Sequence, residues 1–170
     1  MTPVRPIPVF DPGRSLLLND HFQLGYATND IDRAVAVFGE RFGVTKFREN
    51  DADLPDGRSI RSRSVWIGRM MYEILCASGP GFELYTDFVP GPEFQMRLHH
   101  FGYLIPNEAA WDALEERIKQ GGWTLSQRGD HPDFVKTCYV AAPELGHHLE
   151  FILPRQEWLR RWDATPVTGA

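Results

Sequence analysis

The chain of 170 residues lacks any run approaching the roughly 20 apolar residues of a membrane span. Its first residues, Met1-Thr2-Pro3-Val4-Arg5-Pro6, contain no continuous apolar stretch of the kind that forms a secretory signal. Cysteine is scarce. Cys76 and Cys138 are the only two, they lie far apart in strand-like runs, and they suit buried free thiols in a reducing compartment rather than a disulfide framework. A cytoplasmic location is therefore expected. Positive charge is also short, with a net charge of −5 and no basic cluster beyond Arg58 to Arg63 and Arg160-Arg161, so no nucleic-acid footprint is visible. No glycine-rich phosphate cradle is present.

What the chain does have is an internal echo. Gln23 lies fifty residues before Glu73, and His100 lies fifty before Glu150. Gln23 opens Gln23-Leu24-Gly25-Tyr26-Ala27 with Asp30 at plus seven, and His100 opens His100-Phe101-Gly102-Tyr103-Leu104 with Asn107 at plus seven. Glu73 sits in Tyr72-Glu73-Ile74-Leu75 and Glu150 in Leu149-Glu150-Phe151-Ile152. Four strands carrying one donor each can converge on a point. Two carboxylates, an imidazole and an amide oxygen suit a borderline-to-hard divalent cation, whether Zn, Ni, Co, Mn, Mg or Fe.

Hydrophobic periodicity divides the chain into an N-terminal arm (1–18), a first module (19–78), a connecting segment (79–96), a second module (97–154) and a C-terminal helix and tail (155–170). The arm is rich in proline and is expected to be extended, docking through Leu16, Leu17 and Leu18. The first module opens with a strand at His21 to Ala27. An amphipathic helix from Ile31 to Phe42 is capped by Thr28-Asn29-Asp30 and ended by Gly43. Val44 to Arg48 is predicted as a short strand and Glu49 to Gly57 as a polar loop, before a hairpin turning at Gly68-Arg69. The second module repeats this order, with a short strand at Trp123 to Gln127, a loop at Arg128 to Asp133 and a hairpin turning at Pro143 to Gly146. The connecting segment is apolar enough to pack across a pocket mouth or simply to wrap the core, and the tail from Thr165 looks disordered.

This βαβββ unit, used twice with ligands on its first and last strands, resembles the vicinal oxygen chelate superfamily, the glyoxalase, bleomycin-resistance and dioxygenase fold group. The resemblance rests on the four quoted segments and covers roughly residues 21 to 154. It implies an α+β fold whose two modules form a cup from curved mixed sheets, with Gln23, Glu73, His100 and Glu150 as metal ligands on its inner face. Strand alternation then puts Gly25 and Gly102 on that face, leaving open volume above the metal, and brings His148 to it as a possible acid or base.

Each residue has a plainer alternative. His21, two residues before Gln23, could be the first-strand ligand. Glu73 could pair with Arg58, Arg61 or Arg63. His100 could be a core histidine, with His99 pointing the other way. His148 could be a solvated strand end, and His131 a solvated loop residue. Tyr85 and Phe88 suit anchors of the connecting segment, and Trp158 and Trp162 suit core or oligomer contacts rather than a substrate site; a homodimer is expected. The resemblance implies a metal-dependent isomerase, epimerase or lyase acting on a small oxygenated molecule or its thioester, with Glu150 or Glu73 moving a proton next to a carbonyl. The alternatives are a metal-free small-molecule binder of the bleomycin-resistance type and an iron-dependent ring-cleaving dioxygenase.

Overall fold

The computed structural model describes residues 7–169, so the first six residues of the expected arm and Ala170 lie outside the described residues. The first module consists of β1 (Asp20–Thr28), α1 (Ile31–Phe42), β2 (Arg48–Asp53), β3 (Ser59–Ile67) and β4 (Met70–Ser78). A short helix, α2 (Glu83–Thr86), lies in the connecting segment. The second module consists of β5 (Met96–Leu104), α3 (Glu108–Gln120), β6 (Leu125–His131), β7 (Val135–Ala142) and β8 (His147–Pro154), and α4 (Gln156–Asp163) follows it.

All eight strands form one mixed sheet in the order β2-β3-β4-β1-β5-β8-β7-β6. Within each module the first strand runs parallel to the fourth, and the modules join through the antiparallel pair β1 and β5. Laid flat, seven strand spacings would separate the edge strands by roughly 33 Å. Yet Asn50 of β2 and Gln127 of β6 line one cavity of about 610 Å³. The sheet therefore curls into a cup, with this cavity on its inner face.

Helices α1 and α3 cover the outer face. Asp30 accepts a hydrogen bond from the Arg33 N–H at the start of α1, and Asn107 accepts one from the Ala110 N–H at the start of α3. These are the two plus-seven residues of the repeat. α1 buries Ala34 and Phe38 against Val44, Val65 and Ile74. α3 buries Trp111, Leu114 and Ile118 against Tyr103, Ile105 and Phe151. Leu16 joins this second cluster while Leu17 is exposed, so one leucine of the arm does the docking. The segment around it turns back on itself, with the Asp11 N–H donating to the Leu18 carbonyl, and is not extended.

Three expectations need correction. The second strand of each module starts later than predicted, at Arg48 and Leu125, and occupies what composition marks as polar loop. Both are edge strands, which need no apolar side chains for a second neighbour. On β2 the outer-facing Asp51 and Asp53 pair with Arg63 and Arg61 of β3, so charge pairing replaces apolar alternation. The tail is also ordered: Trp66 donates its N–H to the Pro166 carbonyl and accepts from the Thr168 N–H, so residues 166–168 extend the edge beyond β2.

Candidate metal centre

Strand register explains why the two pairs share one spacing. One row across the inner face runs Arg48, Ser64, Glu73, Gly25, His100, His148. The next runs Met71, Gln23, Gly102, Glu150, Tyr139. In each row a glycine stands beside the carboxylate-bearing strand. A β-carbon at Gly25 would lie 2.0 Å from the His100 ring, and one at Gly102 would lie 2.5 Å from Gln23 Oε1. The glycines thus do not leave open space above an ion, as alternation suggested. They are floors on which the donor of the neighbouring strand lies.

Two irregularities break the simple alternation. The β1–β5 register shifts between His21 and Gln23, and again between Gly25 and Tyr26 where it skips His99. Such bulges reset which face a side chain takes. His21 consequently stacks on Phe101 and Tyr103 of the helix-covered face, and only Gln23 of the two meets the cluster. His99, expected to point away from His100, lies against it, with the two Nδ1 atoms 2.9 Å apart.

Gln23, Glu73, His100 and Glu150 come together in the cup. His100 Nε2 lies 3.3 Å from Glu150 Oε2 and 3.7 Å from Glu73 Oε2, and Gln23 Nε2 donates to Glu73 Oε2 at 3.0 Å. The arginines that could have paired with Glu73 are engaged elsewhere, Arg58 with Asp56 and Arg61 and Arg63 with the β2 carboxylates. Among the described residues no three acidic, imidazole or thiol groups form a finished cage. Gln23 turns its amide donor, not its oxygen, toward Glu73.

Three acceptor-capable atoms of the cluster, Gln23 Oε1, His100 Nε2 and Glu150 Oε2, are buried without a hydrogen-bond partner. Bare acceptors in a buried site are costly. Donors sharing an ion at about 2.0–2.2 Å lie roughly 3–3.5 Å apart, close to the spacing found here. The donor set therefore fits a divalent cation. A proton is the other way to fill the gap: burial opposes charge on His100, but the Glu150 and Glu73 carboxylates outweigh it and raise its pKa to about 9.

A polar chain fixes how His100 presents itself. The Leu84 carbonyl can only accept, so His99 donates from Nε2 at 3.0 Å. Burial and the neighbouring His100 push the His99 pKa down to about 3, so this ring is neutral and its Nδ1 accepts from the His100 Nδ1–H. With Nδ1 protonated, a neutral His100 turns the Nε2 lone pair to the carboxylates. A second chain fixes Glu150. The Tyr85 hydroxyl donates to the Tyr139 hydroxyl at 3.0 Å, which donates to Glu150 Oε1 at 2.6 Å, leaving Oε2 free. Burial raises the pKa of both tyrosines, keeping them as donors. Leu84 and Tyr85 both belong to α2, so the connecting segment props two members of the cluster from behind.

His148 lies in the same row as His100 but stacks on His99 near Phe88, away from the cavity lining. His131 is exposed at the cavity rim. Trp158 and Trp162 pack with Phe22 as core contacts and, against the expectation that they lie apart from a substrate site, also line the cavity. Sequence reasoning overlooked Tyr139. Counting outward from the Pro143 to Gly146 turn would have found it, since Tyr139 and Glu150 are cross-strand partners in that hairpin. Arg48, which also lines the cavity, gave no such signal because β2 was placed too early, and Arg161 reaches the cavity from α4.

No family model matches the sequence, and no curated protein matches it significantly. Solved structures do resemble it. Methylmalonyl-CoA epimerase from Mycobacterium tuberculosis superposes with a TM-score of 0.57 at 14% identity, covering 86% of this chain and 94% of that one. A Streptomyces coelicolor methylmalonyl-CoA epimerase variant in complex with 2-nitronate-propionyl-CoA gives 0.55 at 11%, covering 81% and 99%. BphC, a halotolerant catechol dioxygenase, gives 0.52 at 14%, covering 78% of this chain and 39% of that one. The chain has the vicinal oxygen chelate fold. Within that fold, neighbours of different chemistry superpose about equally well, so the likeness shows the fold and not a reaction.

Proposed function

We propose that the protein is a metal-dependent isomerase or epimerase, or a related lyase, that removes a proton next to a carbonyl in a small oxygenated substrate or its thioester. The observation that carries this reading is the set of three bare acceptors, Gln23 Oε1, His100 Nε2 and Glu150 Oε2, beside Glu73 in a cavity. Gln23, His100, Glu150 and Glu73 would hold the cation, which supplies Lewis acidity toward a substrate carbonyl. Glu150 is clamped by Tyr139 and serves best as a fixed ligand. Glu73 is held only by one amide donor and its side chain is 17% exposed, so it has the freedom to take the proton. The C–H bond electrons pass to the carbonyl oxygen as an enolate. Return of the proton by Glu73 to a neighbouring carbon gives an isomer, and delivery of a proton to the opposite face of the same carbon by a second acid gives the epimer. Met71, Leu75 and Ile152 flank the acids in the cavity wall and keep competing water from the reacting carbon. The epimerase neighbours support this reading at the level of the fold.

The test combines metal analysis with isotope exchange. One equivalent of a divalent metal is expected in the purified protein and its loss in Glu150→Gln. Methylmalonyl-CoA and simpler 2-methyl thioesters, incubated in D2O, are expected to exchange their α-proton with wild type and not with Glu73→Gln. Metal-free protein that catalyses no exchange defeats the proposal. A second reading has its own support: a protonated His100 would offset one of the two carboxylate charges of Glu73 and Glu150 without any ion, as suits a metal-free binding protein. That reading expects ligand binding unaffected by chelators and by Glu150→Gln. An iron-dependent dioxygenase, the third reading, expects oxygen uptake with catechols, and only one imidazole stands among the four donors.

A further inference from the structure

The cavity contains a second polar feature that the proton-transfer chemistry does not use. Arg48 of β2 is half-buried, shares a row with Ser64 and Glu73, and lines the cavity. Its guanidinium donates to two neutral hydroxyls, Thr165 Oγ1 at 2.9 Å and Ser64 Oγ at 3.2 Å, and to no carboxylate. Arg161 of α4 lines the same cavity, donates to Asn50 Oδ1 at 2.6 Å, and lies over the Phe134 ring. Its nearest acid, Glu157 at 3.5 Å, is shared with Arg160. Arg48 is held by neutral partners alone, while Arg161 shares Glu157, which also lines the cavity, with Arg160; two guanidiniums with one shared acid between them on this wall are an arrangement that an anion completes. Burial and the neighbouring Arg161 push the Arg48 pKa down while Glu73 pulls it up, consistent with that unfinished balance.

Charge counting across the cavity agrees. With a divalent ion bound and His100 neutral, Glu73 and Glu150 are neutralised by the ion. Arg48 is then left without a counterion.

We propose that Arg48, assisted by Arg161, is an anion seat, so that the substrate is a small organic acid with carbonyl chemistry at one end and a free carboxylate at the other. This rests on the reading of the site above for the first end, but not for the second. Lysine would not replace Arg48, because a fork of fixed N–H groups is needed to hold Ser64, Thr165 and a carboxylate together.

The experiment compares 2-oxoglutarate with 2-oxopentanoate. They share a 2-oxo acid head and differ in the distal carboxylate. Calorimetric titration of the metal-loaded protein is expected to show 2-oxoglutarate binding at least about tenfold tighter, in line with a charged hydrogen bond of roughly 1.5–3 kcal/mol. Arg48→Met should erase this preference while leaving the metal content and the 2-oxopentanoate affinity unchanged. Arg161→Met, at the assisting residue, should reduce it severalfold and serves as the second probe if Arg48→Met unfolds. Equal affinities of wild type for the two acids, or a preference that survives both variants, overturns the anion seat even if metal binding and proton exchange stand. A wild-type protein that takes up no metal yet prefers 2-oxoglutarate in an Arg48-dependent way supports the seat while removing the metal reading.

Discussion

Replacing Gly25 with alanine tests the centre of the site without removing any of its polar atoms. The added methyl would lie 2.0 Å from Cε1 and Nε2 of His100 and 2.5 Å from Nδ1. Gly25 does not have a positive φ, so alanine meets no backbone strain and the effect is purely steric. Neither partner can yield easily. β1 is central, paired on both sides, and the His100 ring is 1% exposed and tethered through His99 to the Leu84 carbonyl. Overpacking a filled interior costs about 1–3 kcal/mol, and two immobile partners place this case at or above the upper end. At 2–4 °C per kcal/mol for a chain of this size, the melting temperature should fall by roughly 6–12 °C. If the ring instead swings away to admit the methyl, metal binding should be lost with less destabilisation. Thermal denaturation and metal analysis of Gly25→Ala give both readouts. In the double variant Gly25→Ala/His100→Ala the clash is absent, so the alanine should cost little when added to His100→Ala. A Gly25→Ala protein that melts within about 2 °C of wild type and keeps its metal would refute the stacking of His100 on this glycine.

Gly102→Ala meets the flexible end of Gln23 at 2.5 Å but also its Cβ at 2.8 Å, so a smaller loss of melting temperature and a clear loss of metal affinity are expected. Tyr139→Phe removes the donor to Glu150 Oε1 and leaves Tyr85 unpaired; about 1–3 kcal/mol of stability and roughly 10–100-fold in metal affinity should be lost, measured by denaturant titration and chelator competition. His99→Phe keeps a ring but frees His100 Nδ1, and nitrogen-15 NMR should show the His100 tautomers mixing while metal affinity weakens about 10–100-fold. Because the metal-free pKa of His100 is raised to about 9, an incoming cation must displace its proton at neutral pH; metal affinity should rise about tenfold per pH unit and level off above about 9. The same raised value favours the metal-free fold below the ordinary histidine pKa near 6.5, a contribution lost as pH rises through about 9, so chelated protein should melt lower at pH 9.5 than at pH 6.5.

The amino-acid sequence by itself determined the duplicated order of elements, the helix caps at Asp30 and Asn107, and which strands carry Gln23, Glu73, His100 and Glu150. Those features are local or periodic, and a fifty-residue repeat of short patterns is visible without coordinates. Edge strands escaped because charge pairs, not alternating apolar residues, hold β2 against β3. Bulges escaped because one extra residue inverts every alternation argument beyond it, which is why His21 and His99 each took the opposite face from the one expected. Only the tertiary structure could decide that glycines of one module bed the donors of the other, that α2 supports two of those donors, and that Arg48 and Arg161 share the cavity. These are contacts between strands and helices remote in sequence, set by sheet register and curl, and nothing within a single segment encodes them.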